Sequence, residues 1–298
     1  MDLNSLYHPP KPKIWTGRKA DSPQYIYQKI QCQNITQHPT IQPGSIALIG
    51  FACDEGVYRN QGRRGASEGP KAIRQNLAPL ALTTEIASKN IIDLGDISCT
   101  DHDLESAQET LGKVVEHVVK AKAFPFVLGG GHETAWGHYL GLSQYSKTGL
   151  GIINFDAHFD LRDLNPEGGH SGSPFFQISQ NSSNFDYTVI GIQPTANTSQ
   201  LFARAKQLGV KYTEAYGNKG GDKKNRQAVD EIISRCDHIY LSICLDVFSS
   251  AIAPGVSAPQ PFGMTLDQIQ PLILKLLASN KVIACDIVEL APQLDPHG

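Results

Sequence analysis

The chain has 298 residues, 40% of them hydrophobic and 18% charged, with a formal net charge of −3. That length suits one large α/β domain or two ordinary ones, and it buries enough apolar surface to fold without disulfide staples. The charge balance offers no footprint for nucleic acid or an anionic membrane, and no apolar run approaches the length of a bilayer span.

The six cysteines form no CxxC pair and no framework spacing. That argues against a zinc cluster or a secreted disulfide scaffold and for a reducing, cytoplasmic setting. The opening "MDLNSLYHPPKPKIWTGRKADSPQ" carries prolines and charges where a signal peptide needs an apolar core. Residues 1–43 read as a polar surface arm with one short helix, ahead of a domain covering 44–298.

From there apolar runs alternate with helical patterns. "SIALIGFA" (45–52), "NIIDLGD" (90–96), "FPFVLGG" (124–130), "GLGIINFD" (149–156), "YTVIGI" (187–192), "HIYLSIC" (238–244) and "KVIACDIV" (281–288) are short and nearly continuous. Strands buried on both faces of a parallel sheet have that character. Helices are expected from Pro70 through "KAIRQNLA", over 103–123 with Leu104, Ala107, Leu111, Val114, Val115 and Val118 at helical spacing, over 198–209 with Gly209 as the stop, and over 266–279. "GNKGGDKKNR" (217–226) reads as a surface loop. The alternation predicts a single three-layer α/β/α domain.

In such sheets, sites gather at the carboxyl ends of strands. In "LGGGHE", glycines 129–131 permit a tight turn that presents His132. In "NFDAHFD", Asp156, His158 and Asp160 fall two residues apart, on one face of an extended chain. In "SICLD", Cys244 and Asp246 share that step. Burying carboxylates and imidazoles together is costly unless a cation compensates them. The mixed donor set suits manganese or another borderline divalent ion better than magnesium or calcium. His170, ahead of "SGSP", is a further candidate facing the site, and Asp54 and Glu55 are candidates for its rim. His102, His117 and His138 read as solvated or packing residues.

Taken together, "GGGHE", "DAHFD" and "SICLDVFSSAIAPG" resemble the signatures of the ureohydrolase superfamily, the arginase and agmatinase group, across roughly residues 45–290. Within it, "IWTGRKAD", "DEGVYRNQGRRGASEGPKAIR", "GGGHETAWGHY" and "HSGSPFFQI" are most similar to the formimidoylglutamase branch. That branch hydrolyses N-formimidoyl-L-glutamate to L-glutamate and formamide in histidine degradation. The resemblance implies an arginase-like domain with a mostly parallel sheet of about eight strands, two Mn²⁺ per subunit, a small-molecule substrate and assembly into a homo-oligomer. It also implies roles. His132, Asp156 and Asp160 would hold one metal, and Asp156 would bridge to a second held by His158 and Asp246. Glu289, in "DIVELAP", would pair with the cationic amidine, and Asp160 would carry the proton to the departing amine. Arg162 would grip a substrate carboxylate, with Arg63, Arg64 and Arg59 as candidates for the other.

Cys244 departs from the pattern, which has a bridging aspartate there. One soft sulfur in place of two hard oxygens lowers manganese affinity or shifts preference toward zinc or iron, although a metal-bound thiolate still bridges. Three readings stay open: a formimidoylglutamase with a modified metal site, a catalytically impaired relative kept for binding or assembly, and an agmatinase or guanidino-acid hydrolase sharing the same metal motifs. The sequence stops at "LDPHG", short of the family's final helix; either that helix is absent, which would uncover an apolar patch on the sheet's flank, or the sequence is trimmed.

Overall fold

The computed structural model describes residues 3–216 and 221–298. In chain order the elements are β1 (Tyr7–His8), β2 (Ile30–Cys32), β3 (Ile46–Ala52), α1 (Glu55–Arg59), α2 (Gly69–Leu77), α3 (Thr84–Ala87), β4 (Ile91–Ser98), α4 (Leu104–Lys120), β5 (Phe124–Leu128), α5 (Thr134–Leu142), β6 (Leu150–Phe155), α6 (Pro174–Asn181), β7 (Asp186–Ile192), α7 (Ser199–Gln207), β8 (Lys211–Glu214), α8 (Gly221–Arg235), β9 (His238–Cys244), α9 (Leu266–Ala278) and β10 (Val282–Val288).

Each apolar run forms a strand, and the sheet runs β4-β3-β5-β10-β9-β6-β7-β8, parallel throughout. The expectation of about eight strands holds for β3 to β10, but the sheet has ten. The other two come from the N-terminal segment. β2 pairs in parallel with Ile91–Asp93, and β1 pairs antiparallel with Asp96 and Ile97, so both share the outer edge of β4. Instead of standing off as an arm, residues 3–43 line that edge and occupy hydrogen-bonding groups that would otherwise be open to another chain.

Alternate residues along a strand serve opposite faces. On β6, Ile152 joins a core with Leu111 and Val115 of α4, whereas Ile153 joins a core with Val229 of α8 and Leu272 of α9. That two-sided burial makes the three layers. Helix ends follow local chemistry: the Asp103 side chain accepts from Ser106 N–H at the start of α4, and Gly209 (φ +70°) ends the segment after α7. The loop expected over 217–226 is partly helix, since α8 begins at Gly221; residues 217–220 lie outside the described residues.

One buried ion cluster fastens α2 to β4. The Arg74 guanidinium, 1% exposed, meets Asp93 (Nη2 to Oδ1, 2.8 Å) and Asp96 (Nη1 to Oδ1, 2.6 Å) and donates to Gly95 O at 2.9 Å. Trp15, from the N-terminal segment, adds a 2.8 Å bond from Nε1 to Asp93 Oδ2. Removing the cation leaves Asp93 buried without compensation. Arg74→Ala is therefore expected to lower unfolding stability by about 3–5 kcal/mol, read from urea midpoints; a loss near zero would show that the cluster is not fastening this edge.

Candidate metal centre

β5, β10, β9 and β6 are consecutive in the sheet, and each ends in a residue of the candidate site. After β5 the chain turns through Gly129–Gly131. Gly129 N–H donates to Ile287 O, Gly130 O accepts from Glu289 N–H, and a Cβ on Gly130 would sit 1.7 Å from Cys53 O. Only glycine fits there, and the turn delivers His132, 1% exposed, above the strand ends. Along β9, Tyr240, Ser242 and Cys244 point to one face by strand alternation, which aims the Cys244 thiol at His132.

Asp156 lies between two imidazoles. Its Oδ2 is 2.9 Å from His132 Nδ1, and its Oδ1 is 3.4 Å from His158 Nδ1. Asp160 Oδ2 is also 2.9 Å from His132 Nδ1, and Asp246 Oδ2 is 3.0 Å from His158 Nδ1. Two ligand groups share Asp156: His132, Asp156 and Cys244, and Asp156, His158 and Asp246, with the ligand atoms of each group all within 4.8 Å of one another. The extended-chain expectation for 156–160 holds only in part. The strand stops at Phe155, and Asp160 adopts a left-handed φ of +48°, so Asp156 and Asp160 face His132 while His158 turns toward Asp246. A cage around ions needs a chain that curves. Glu289 is likewise left-handed at φ +70°, and such backbone costs on the order of 1 kcal/mol in a residue with a side chain.

The electrostatics suit a cation. Burial alone would push both imidazoles down, but the Asp156 and Asp160 carboxylates hold His132, and Asp246 and Asp156 hold His158, well above the usual histidine range. Burial and Asp246 push Glu289 up to about 8. Burial, with Asp156 and Asp246 nearby, pushes the Cys244 thiol far up. His132 Nδ1 is buried and close to two carboxylates, yet hydrogen-bonded to neither. A buried ring nitrogen without a hydrogen-bond partner, facing converging carboxylate oxygens and a thiol, is the donor set of a divalent metal, so these residues fit one.

Behind the ligands stands a network the sequence reading did not identify. His132 Nε2 meets Ser242 Oγ at 3.0 Å, and Ser242 Oγ donates to Asp286 Oδ1 at 2.6 Å. The other oxygen of Asp286 takes the Tyr240 hydroxyl and His138 Nδ1. Of the two readings offered for His138, solvated or packing, burial bears out the second, with Asp286 as its partner. Asn154 donates to Asp156 Oδ2 at 3.0 Å. The available signal was polar Ser242, Asp286 and Asn154 inside otherwise apolar buried strands, where each needs a partner.

A cavity of about 320 Å³ opens over the cluster, lined by His132, His158, Asp160, Cys244, Asp246 and Glu289 at its floor and by Arg63 and Arg162 at its wall. Arg162 is exposed, and among the described residues its guanidinium has no hydrogen-bond partner. Arg63 is anchored by backbone carbonyls, Nε to Ser257 O (2.9 Å) and Nη2 to Val256 O (2.7 Å). The remaining candidates lie elsewhere. Arg64 is bound to Asp54 (2.8 Å) and lies over Tyr58, outside the cavity wall, so its expected substrate role is withdrawn. Arg59 is occupied by Glu105, Glu55 and His102 O. His170 accepts from Gly172 N–H and bonds Asp163 O, which uses both ring nitrogens. Asp54 and Glu55 line a separate cavity.

The sequence model of the arginase family matches residues 44–298. The formimidoylglutamase of Geobacillus thermodenitrificans is 40% identical over 98% of this chain and 92% of that protein, and the one from Chromobacterium violaceum is 42% identical over 96% and 93%. The Trypanosoma cruzi formiminoglutamase structure solved with Mn²⁺ superposes with a TM-score of 0.76 at 27% identity, covering 85% of this chain and 88% of that one.

The Ser242 contact generates an expectation. Ser242→Ala frees His132 to rotate and should weaken metal binding by about 10–100-fold in calorimetric titration; unchanged affinity would show that the Asp286 network does not orient the ligand.

Proposed function

The chain belongs to the arginase family, and from that premise we propose that it is a formimidoylglutamase, hydrolysing N-formimidoyl-L-glutamate to L-glutamate and formamide. The observation that carries the reading is the pair of ligand groups sharing Asp156 beneath a cavity that also holds a free arginine. In this reading His132, Asp156, Asp160 and Cys244 would hold one Mn²⁺, and Asp156, His158 and Asp246 would hold the other. When bound, the pair supplies the Lewis acidity that activates a water near neutral pH.

The chain's own groups do the rest. Glu289, fixed by the 2.8 Å bond from His132 N–H to its Oε1, offers a carboxylate on the cavity floor to the substrate's amidinium. A cationic partner returns it to the ionised form that burial opposes. Asp160, beside His132 and open to the cavity, is placed to take a proton from the attacking water and give it to the departing amine. Arg162 grips a substrate carboxylate with its planar fork, and Arg63 presents the edge of its guanidinium that the backbone carbonyls leave open. An agmatine-like substrate has no carboxylate and would leave Arg162 without a counterpart. No helix among the described residues is long and apolar enough to cross a membrane.

Cys244 belongs to the working site in this account. Its thiol lies with His132 and Asp156 in one ligand group, within reach of the ion they would hold. Formamide release from N-formimidoyl-L-glutamate with saturating Mn²⁺, and none above background from agmatine or arginine, is the expected assay result; background-level turnover of formimidoylglutamate would discard the reading. Cys244→Asp restores hard oxygens and should raise Mn²⁺ affinity by calorimetry; an equal or weaker affinity would place the thiol outside the metal's reach.

A further inference from the structure

Cys53 and Cys99 lie outside the machinery described above, at the ends of neighbouring parallel strands. Ala52 of β3 is the register partner of Ser98 of β4, so Cys53 and Cys99 are the next residues on each. Neighbouring strands run about 4.8 Å apart, within the range over which two Cα atoms accept a disulfide. Both side chains border the same small cavity at these strand ends. Their settings differ. Cys53 is 1% exposed, whereas Cys99 is half-buried, and the cavity, of about 240 Å³, has Arg64, His102 and Asp101 on its wall. Contact with Cys53 holds the Cys99 thiol below its usual range despite burial, and the same contact, with burial, pushes Cys53 far up. The accessible, more acidic thiol is the one that meets an oxidant first.

We propose that Cys53 and Cys99 form a dithiol–disulfide site that hydroperoxides close, and that closing it loosens the metal centre. The Cys99 sulfur attacks a peroxide oxygen; an S–O bond forms, the O–O bond breaks, and the alcohol or water leaves with the thiol's proton. The Cys53 sulfur then attacks the sulfenic acid; an S–S bond forms, the S–O bond breaks, and the hydroxyl leaves as water with the Cys53 proton. Two thiols lose two electrons and one peroxide gains them.

The route to the metal centre is short. Cys53 O accepts from Gly131 N–H at 3.1 Å, and Gly131 precedes His132. β3 lies between β4 and β5, so drawing Cys53 toward Cys99 pulls its carbonyl away from the turn that presents the ligand. The effect on metal rests on the centre proposed above, but the cross-link itself does not.

The test is stepwise hydrogen peroxide treatment of the whole protein, with peptide mapping by mass spectrometry and Mn²⁺ titration of the same samples. Expected are a Cys53–Cys99 cross-linked peptide, Mn²⁺ affinity weakened by about tenfold or more, and recovery with dithiothreitol. Cys99→Ser, its fold checked by circular dichroism, should keep its Mn²⁺ affinity through the same treatment. If both cysteines still alkylate separately after the half-exposed Cys32 has oxidised, the site is overturned. A cross-link that leaves Mn²⁺ affinity unchanged overturns the coupling, as does equal loss in Cys99→Ser, which would assign the damage to Cys244.

Discussion

A single buried carboxylate between two imidazoles governs this pole of the molecule. Asp156 is inaccessible to solvent, and its neighbours Asp160 and Asp246 add negative charge within reach of the same histidines. Carboxylates packed this closely repel one another unless positive charge stands among them. The sheet order brings these groups together: β9 and β10 enter last in sequence but insert between β5 and β6, bringing Cys244, Asp246 and Glu289 beside His132 and Asp156. Rigid strands hold the ligands, and the left-handed residues Asp160 and Glu289 bend the chain inward where an extended backbone would point them away.

Much of this was legible in the sequence because the two kinds of signal are local. Continuous apolar runs give buried parallel strands, and metal-ligand residue types just past their ends give the site. The strand ends carrying His132, Asp156, His158 and Asp246 do converge. What stayed hidden depends on partners distant in sequence. β1, β2 and β8 are too short or too polar to announce themselves, and exist because an edge is there to pair with. The arginines could not be sorted by type: Arg64 and Arg59 look like Arg162 on paper, but Asp54 and Glu105 occupy the first two. Ser242, Asp286 and His138 make sense only once β9 and β10 are neighbours. The pairing of Cys53 with Cys99 likewise follows from strand register and not from spacing.

If Cys244 stands where the resemblance expects an aspartate, as proposed, its sulfur fits the same charge balance. A thiol that is neutral when no ion is near and anionic beside one brings less repulsion into an already acidic pocket than another aspartate would. Softer ligation would be the corresponding cost, on the half of the proposed site nearest His132.

The central claim is that two cations flank Asp156. Anomalous diffraction at the manganese edge from crystals soaked in Mn²⁺ tests it directly. The account predicts two peaks, one against His132, Asp160 and Cys244 and the other against His158 and Asp246, with an Asp156 oxygen on each. A lone peak, or one that touches neither imidazole, would contradict it.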